Sequence, residues 1–155
     1  MPGSIDLETR TVNTVALLGS DYRGVNFEML CAEGDAVQAG AAVMRDARRP
    51  DLKFTAPAAG RIARIERGAR RKLVALQIEI DATAGCAQYQ PPAGDDRDSL
   101  RIFMLETGAW SSLRTRPFGN IPDPQSEPAA IFVTALDAEP LAPDPAPIID
   151  ARLDE

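Results

Sequence analysis

Side chains that carry out acid–base, nucleophilic or metal chemistry are scarce in this sequence. Histidine is absent, and the two cysteines, Cys31 and Cys86, are far apart and form no CxxC pair. Zinc, copper and iron–sulfur sites rely on histidine and cysteine, and nucleophilic triads need a histidine base. We therefore expect no catalytic or metal centre within this chain, and two free thiols in a reducing compartment.

The carboxylates near the end of the chain show a second pattern. Asp137, Asp144 and Asp150 lie beside prolines, and paired carboxylates can bind hard cations or transfer protons. Their spacing follows the proline turns and matches no ligand loop, so the pattern favours a role in turns and solubility. The sequence also lacks a GxGxxG motif and a phosphate loop, so nucleotide binding has no support.

Positive charge is concentrated in the first half of a chain whose net charge is −6. The overall balance argues against nucleic acid as a partner. The interpretation left open for the basic residues is either a solvated face or a docking surface for an acidic partner or anionic lipid headgroups. The candidate docking residues are Arg48, Arg49, Arg70, Arg71 and Lys72.

A further cluster combines cations with aromatic rings. Arg114 and Arg116 precede Phe118, and Trp110 is close in sequence. The loop can offer guanidinium donors and a ring to a partner, but a surface loop with weak ion pairs is the alternative. A single tryptophan at a helix end is also typical of a core residue.

Short strands are expected to position these groups. Residues 13–81 contain six or seven apolar runs separated by turns, which predicts a mainly β barrel or sandwich. Ile62 and Ile65 break strict alternation and predict a β-bulge. In Leu73–Ile80, we expect Val74, Leu76, Ile78 and Ile80 to share one face. The predicted structural turn residues are Gly34, Gly40, Pro57 and Gly60.

A different pattern follows residue 97. Asp98 or Ser99 is expected to cap a helix that ends near Gly108, with Leu100, Phe103 and Met104 on one face. Ala130–Ala135 is an apolar, β-branched run that predicts a buried strand. This short α+β segment looks like the start of an α/β domain. The predicted organisation is a flexible leader (1–12), a β-domain (13–85), a linker (86–97) and a helix–loop–strand extension (98–155).

Residues 30–65 resemble the biotinyl/lipoyl-like family of barrel-sandwich hybrid domains. The similarity lies in Glu33-Gly34-Asp35, with Val37, Gly40 and Val43 at matching spacing, and in Ala56–Ile62. A carrier domain of that family needs a lysine at the tip of an exposed hairpin. The expected tip is Arg48–Pro50, and an arginine cannot form the amide that attaches biotin or lipoate. Lys53, the nearest lysine, is expected on the returning strand.

A longer resemblance, over roughly residues 10–150, is to the NqrA family of subunits of the sodium-translocating NADH:quinone reductase. It rests on several short stretches in the family's order and spacing, namely Thr14–Gly19, Phe54–Gly60, Arg114–Phe118, Ile131–Asp137 and Pro140–Pro145. It implies a cytoplasmic protein, peripheral on the inner face of the cell membrane, that contacts the other subunits of the complex. It also implies no covalently bound cofactor here, with NADH, flavin and iron–sulfur groups on other subunits. Ubiquinone is a candidate ligand for Arg114, Arg116, Phe118 and Trp110.

Three functions remain open at this point. The first is an accessory subunit, or part of one, since members of the resembled family continue well beyond the position of Glu155. The second is a stand-alone, non-catalytic interaction module with a barrel-sandwich fold. The third is a biotin or lipoate carrier, which would need modification of Lys53.

Overall fold

Seven antiparallel strands form the main part of the molecule. The computed structural model describes residues 11–94 and 96–134; residues 12–126 form one compact unit, and residues 127–134 belong to a second. Strands β1, β7, β6 and β3 form one sheet in that order, and β2, β4 and β5 form the other. The strands are β1 (Thr14–Leu18), β2 (Phe27–Met29), β3 (Ala36–Val37), β4 (Ala42–Asp46), β5 (Arg49–Thr55), β6 (Gly60–Arg67) and β7 (Leu73–Ile80). The mainly β fold predicted from the sequence is confirmed.

The core draws side chains from both sheets. The largest buried apolar residues are each at most 1% exposed, and burial of each contributes about 1.5–3 kcal/mol. They are Val43, Met44, Leu52, Phe54, Ile62, Leu76 and Ile78. The ring of Phe54 meets those of Tyr22 and Phe27 edge-on, at centroid distances of 4.8 and 5.1 Å. Three of the few aromatic rings in the chain therefore pack together and stabilise the core.

Two irregularities set which side chains of β6 and β7 face the core. The register shifts between Ile62 and Arg64, so the predicted bulge is confirmed. A second shift pairs Glu66 with Ala75 but Arg67 with Leu73, which leaves Val74 as the extra residue. The predicted shared face of Val74, Leu76, Ile78 and Ile80 is therefore wrong at Val74, which is 44% exposed, whereas Leu76 and Ile78 are buried in the core. A bulge reverses the side-chain alternation.

The predicted turn residues stand where the chain changes direction. Gly34 and Gly40 have φ of 94° and 82°, which L-residues adopt only with strain. Pro57 follows the end of β5 and interrupts pairing, as proline must. Gly60 begins β6, where its backbone lies against the carbonyl group of Glu79.

Within residues 96–134, one α-helix follows the sheets. Helix α1 (Arg97–Glu106) begins earlier than predicted, because its cap is Asp96, whose carboxylate accepts from the Ser99 amide at 2.9 Å. The helix ends before Gly108, which has φ of 77°, as predicted. Leu105 is the buried residue of the helix and joins the barrel core, whereas Leu100 is 41% exposed. The predicted apolar face is therefore wrong at Leu100 and omits Leu105.

The prediction of a buried strand at Ala130–Ala135 is wrong for the part of that run that the structure describes. Residues 130–134, the described part of that run, have no regular secondary structure. Ile131, Phe132 and Val133 are 73%, 89% and 88% exposed. An apolar, β-branched run predicts burial, but a strand forms only where a neighbouring strand supplies backbone partners. The predicted leader up to residue 10 and the aspartates Asp137, Asp144 and Asp150 lie outside the described residues.

Candidate docking surfaces

The hairpin between β4 and β5 is where a carrier domain of this fold would place its lysine. The turn is Ala47-Arg48, so the tip is tighter than the predicted Arg48–Pro50, and Arg49 and Pro50 already belong to β5. Lys53 lies within β5 opposite Arg45 and away from the tip. The tip therefore presents a single arginine side chain, that of Arg48, and no amine for biotin or lipoate.

The turn is held by a buried carboxylate. Asp46 is 1% exposed and accepts hydrogen bonds from the backbone amides of Arg48 at 3.1 Å and Asn26 at 3.4 Å. Its other oxygen binds Nε of Arg49 at 2.8 Å. Arg49 also donates to the carbonyl oxygen of Ile121 at 3.5 Å. Arg49 is thus engaged inside the fold, and of the two predicted docking residues on this hairpin only Arg48 is exposed.

The hairpin between β6 and β7 ends in the second basic cluster. We call Arg67, Arg70, Arg71 and Lys72 the basic tip; all four side chains are exposed. Arg70 and Arg71 have φ of 54° and 59°, and the Lys72 amide donates to the Ala69 carbonyl at 3.3 Å. This is the pattern of a type I′ turn, in which both central residues are left-handed. Arg67 steadies it by donating to the Arg71 carbonyl at 3.1 Å.

Asparagine followed by glycine is the preferred pair for such a turn, and two arginines are strained in it. We therefore predict that the double variant Arg70→Asn/Arg71→Gly is more stable than the natural chain, by about 1 kcal/mol. For a protein of this size that corresponds to a rise in Tm of about 2–4 °C in a thermal unfolding experiment. Arg64→Gln on the adjoining strand is the control and leaves Tm unchanged. An unchanged or lower Tm of the double variant would contradict the prediction.

The loop that carries the second candidate cluster follows α1. In the arginine loop (residues 114–120), the Thr115 amide donates to the Asn120 carbonyl at 2.8 Å, and the Gly119 amide donates to the Thr115 carbonyl at 2.7 Å. These two bonds close the loop on itself. Phe118 is 76% exposed, and Arg116 is exposed beside it. Arg114 is also exposed, so the loop presents one ring and two guanidinium groups to solvent.

The other two predicted residues of this cluster point elsewhere. Trp110 is partly buried against the core, and its indole Nε1 donates to the Pro122 carbonyl at 3.0 Å. Arg114 donates to the carbonyl oxygens of Ser111 and Leu113 and so braces the turn before the loop. Burial raises the pKa of the Tyr22 hydroxyl, and the guanidinium of Arg114 opposes that rise. Trp110 and Arg114 therefore donate to backbone carbonyls beside the loop, Arg114 from an exposed position, while Arg116 and Phe118 face solvent.

Both cysteines are free thiols, but their surroundings differ. Burial raises the pKa of the Cys31 thiol, which also donates to the Val43 carbonyl at 3.4 Å. Cys86 is exposed. Because the thiolate is the reactive form, we predict that a thiol reagent modifies Cys86 at least about ten times faster than Cys31. Timed labelling with mass spectrometry measures this, and Cys86→Ser should remove the fast phase. Equal rates would refute the prediction.

The remaining polar features of the described residues are the potential metal ligands and one groove. Residues 11–94 and 96–134 contain no group of three or more potential metal ligands of the histidine, cysteine and carboxylate types. A shallow groove of about 560 Å³ between β5 and α1 mixes both charge signs. Arg101 in it already pairs with Asp98 at 3.2 Å. The groove therefore lacks a consistent charge for an ionic ligand.

Asp46, the buried carboxylate that holds the β4–β5 turn, was not among the residues predicted from the sequence. An acidic residue two positions after the apolar run Ala42–Met44 and directly before a turn was the available signal. Its partners are Arg49, three residues further on, and the backbone amide of the distant Asn26, which no local pattern connects to it. The cap Asp96 was missed by two residues, although aspartate before a helix is a strong local signal.

A barrel-sandwich fold with no lysine at its β4–β5 tip places this part of the chain in the biotinyl/lipoyl-like class, here with helix α1 packed against the barrel core. Two family models match the chain. The model described as the NqrA N-terminal barrel-sandwich hybrid domain covers residues 3–81, and that of the NqrA second alpha/beta domain covers residues 95–155. The chain belongs to the NqrA family, which confirms the resemblance found in the sequence.

Curated relatives agree with this assignment. The chain is 44% identical over 145 residues to the NqrA subunit of the Na(+)-translocating NADH-quinone reductase from Klebsiella pneumoniae (strain 342), covering 91% of this chain and 32% of the relative. It is 40% identical over 144 residues to the protein of the same name from Pseudomonas aeruginosa (strain UCBPP-PA14), covering 90% and 32%. The corresponding protein of Rhodopirellula baltica (strain DSM 10527 / NCIMB 13988 / SH1) is 40% identical over 150 residues, covering 93% and 33%. The chain thus spans about a third of the length of these relatives.

Proposed function

We propose that this chain acts as an accessory part of a sodium-translocating NADH:quinone reductase and binds the other subunits of that complex. The observation that carries the proposal is the match to both consecutive NqrA domains in one chain, together with relatives named as NqrA subunits of that reductase. No helix among the described residues is long and apolar enough to cross a membrane. The proposed location is the inner face of the cell membrane, where the chain is held through its partners.

The proposed cofactor arrangement follows from the chemistry available. The described residues offer no metal-ligand cluster, and the β4–β5 tip offers no amine for a prosthetic group. We assign NADH, flavin and iron–sulfur chemistry to the other subunits and a binding role to this chain.

The arginine loop is the proposed contact within this chain. Interface anchors are typically aromatic or arginine side chains that become buried on binding. Phe118 and Arg116 provide one of each, held outward by a closed loop. A quinone would use the same two groups, the guanidinium for a carbonyl oxygen and the ring for stacking. We place ubiquinone contact here as part of the proposal.

The test is capture of the tagged chain from detergent-solubilised membranes of its source cells, assayed for NADH:quinone reductase activity and bound flavin. We expect both to follow the natural chain, and Arg116→Ala/Phe118→Ala to lose most of each. Arg23→Ala/Leu30→Ala removes one exposed cation and one exposed apolar side chain elsewhere, and it should behave like the natural chain. Absence of activity and flavin from the natural-chain capture would reject the docking proposal.

Quinone contact has a separate test, because Trp110 is the single tryptophan and lies near the loop in sequence. Its fluorescence should fall on titration with a short-chain ubiquinone, and the fall should weaken in Arg116→Ala/Phe118→Ala. A titration identical in both proteins would exclude the loop as the quinone site.

A stand-alone interaction module is the second candidate. Residues 12–126 form a compact unit with their own core, which is the observation in its favour. This candidate predicts a monodisperse chain that captures neither reductase activity nor flavin.

A further inference from the structure

The basic tip combines unfavourable turn chemistry with high charge density. Arg70 and Arg71 occupy the two left-handed positions of a type I′ turn, where asparagine and glycine would be less strained. Local strain retained at an exposed position is a recurrent mark of a functional site. Compared with asparagine and glycine, the two arginines give the turn two guanidinium groups. The strained turn and its positive charge together indicate that it binds a negatively charged ligand.

The charge of the basic tip is only partly balanced in sequence, by Glu66 directly before it. Its four cations lie between positions 67 and 72, and no acidic residue occurs from Arg67 to Leu73. The basic residues of the sheets themselves are more engaged: Arg45 pairs with Glu28 at 2.9 Å, and Arg61 donates to the Gly34 carbonyl at 2.8 Å. The tip is therefore the part of the described chain best placed to meet an anionic surface.

Apolar side chains lie directly behind the cations. The bulge turns Val74 outward, so that it is 44% exposed. Leu18 is 42% exposed and pairs with Ala75, the neighbour of Val74, on the adjacent strand β1. Cations in front of a small apolar patch are the combination found in segments that lie in the interface of an anionic bilayer. Lysine and arginine bind the phosphates, and apolar groups reach toward the acyl boundary.

We propose that the basic tip binds the anionic headgroups of a lipid bilayer. A protein partner usually requires about 800 Å² on each side, which is more than one hairpin end supplies. Mobile headgroups can gather around a projecting point of charge. The net charge of −6 over the whole chain also means that an anionic membrane attracts the tip and repels much of the remainder. The inference rests on the proposed function in one respect, because a membrane complex brings the chain close to lipid.

Vesicle flotation tests the proposal with the 155-residue chain. The probes are vesicles of phosphatidylcholine alone and vesicles containing about 30% phosphatidylglycerol. We expect the chain to float only with the anionic vesicles, and to be released at about 0.5 M NaCl because salt screens exposed charge. Arg70→Asn/Arg71→Gly removes two cations while improving the turn, and should bind about 10- to 30-fold more weakly. Arg70→Lys/Arg71→Lys keeps the charge and should bind like the natural chain.

The matched control is Arg23→Gln/Arg48→Gln, which removes two exposed cations away from the tip. Full binding by this control together with loss in the tip variant supports the proposal. A natural chain that ignores anionic vesicles, or a control that loses as much binding as the tip variant, overturns it. A tip variant that keeps vesicle binding but fails to capture the reductase also overturns it, since the tip would then bind protein. Because no reductase is present in the flotation, its result is independent of the proposed docking function.

Discussion

The variant Gly60→Ala is expected to lose more than about 3 kcal/mol of folding free energy, because its methyl group would overlap backbone atoms of the neighbouring strand. A Cβ at this position would lie 1.9 Å from the carbonyl oxygen of Glu79 and 2.9 Å from the amide nitrogen of Asp81. Both are backbone atoms of β7 or of the residue that follows it, so no side-chain rotation relieves the overlap. The Asp81 amide donates to the Ala59 carbonyl at 3.0 Å, and this bond would open as the strands separate.

Urea unfolding followed by circular dichroism measures the effect. Gly94→Ala is the control, because no heavy atom outside the neighbouring residues lies within 4 Å of a Cβ there. We expect Gly94→Ala to have the same urea midpoint as the unsubstituted chain. Gly60→Ala should be partly or wholly unfolded without urea. Equal midpoints for the two variants would show that the β6–β7 backbones are not as close as described.

The second large effect is expected from Arg49→Met, which leaves the buried carboxylate of Asp46 without its cation. Removal of one partner from a buried ion pair costs about 3–5 kcal/mol, and the partial exposure of Arg49 (24%) reduces this to about 2–4 kcal/mol. The variant also loses the donor to the Ile121 carbonyl, so the contact between the hairpin and residues 97–126 weakens.

A double-mutant cycle isolates the charge effect. In Asp46→Asn/Arg49→Met the amide oxygen can still accept from the backbone amides of Arg48 and Asn26, and no buried charge remains. We expect the double variant to recover at least about half of the stability that Arg49→Met loses. Arg48→Met, at the exposed neighbouring position, serves as the control and should change stability by less than about 0.5 kcal/mol. If the second substitution adds to the loss, the ion pair is not the source of the effect.

Local chemistry predicted the parts of the fold that depend on neighbours in the chain. Ile62 and Ile65 on the same side of a strand require a bulge between them, and the bulge is there. Gly108 had to end the helix, because its left-handed conformation is one that other residues adopt at a cost. The missing carrier lysine could likewise be inferred from the spacing of one hairpin.

Features that depend on distant residues could not be predicted in this way. Val74 faces outward because of a register shift beside the turn, which the alternation of β7 does not encode. Asp46 accepts from the amide of Asn26, and its partner Arg49 donates to the carbonyl oxygen of Ile121; both Asn26 and Ile121 are far away in sequence. The run at Ala130–Ala135 has the composition of a buried strand, but composition does not provide the neighbour that a strand needs. The candidate site also differs from the sequence grouping: Trp110 is partly buried, and Arg114 is exposed but donates to the backbone carbonyls of Ser111 and Leu113.

The burial of Leu105 and Ile121 with the barrel core affects how this protein can be divided and exchanged. Residues 97–126 carry side chains that complete the β-domain, so a barrel cut after residue 85 would have an open apolar surface in place of its lid. Recombination between relatives, natural or in the laboratory, should therefore succeed when the barrel and residues 97–126 come from the same parent. A crossover between residues 86 and 97 would have to preserve the fit of Leu105, Ile121 and Arg49 against a foreign partner. The segment that must be exchanged as one unit is therefore longer than the β-domain itself.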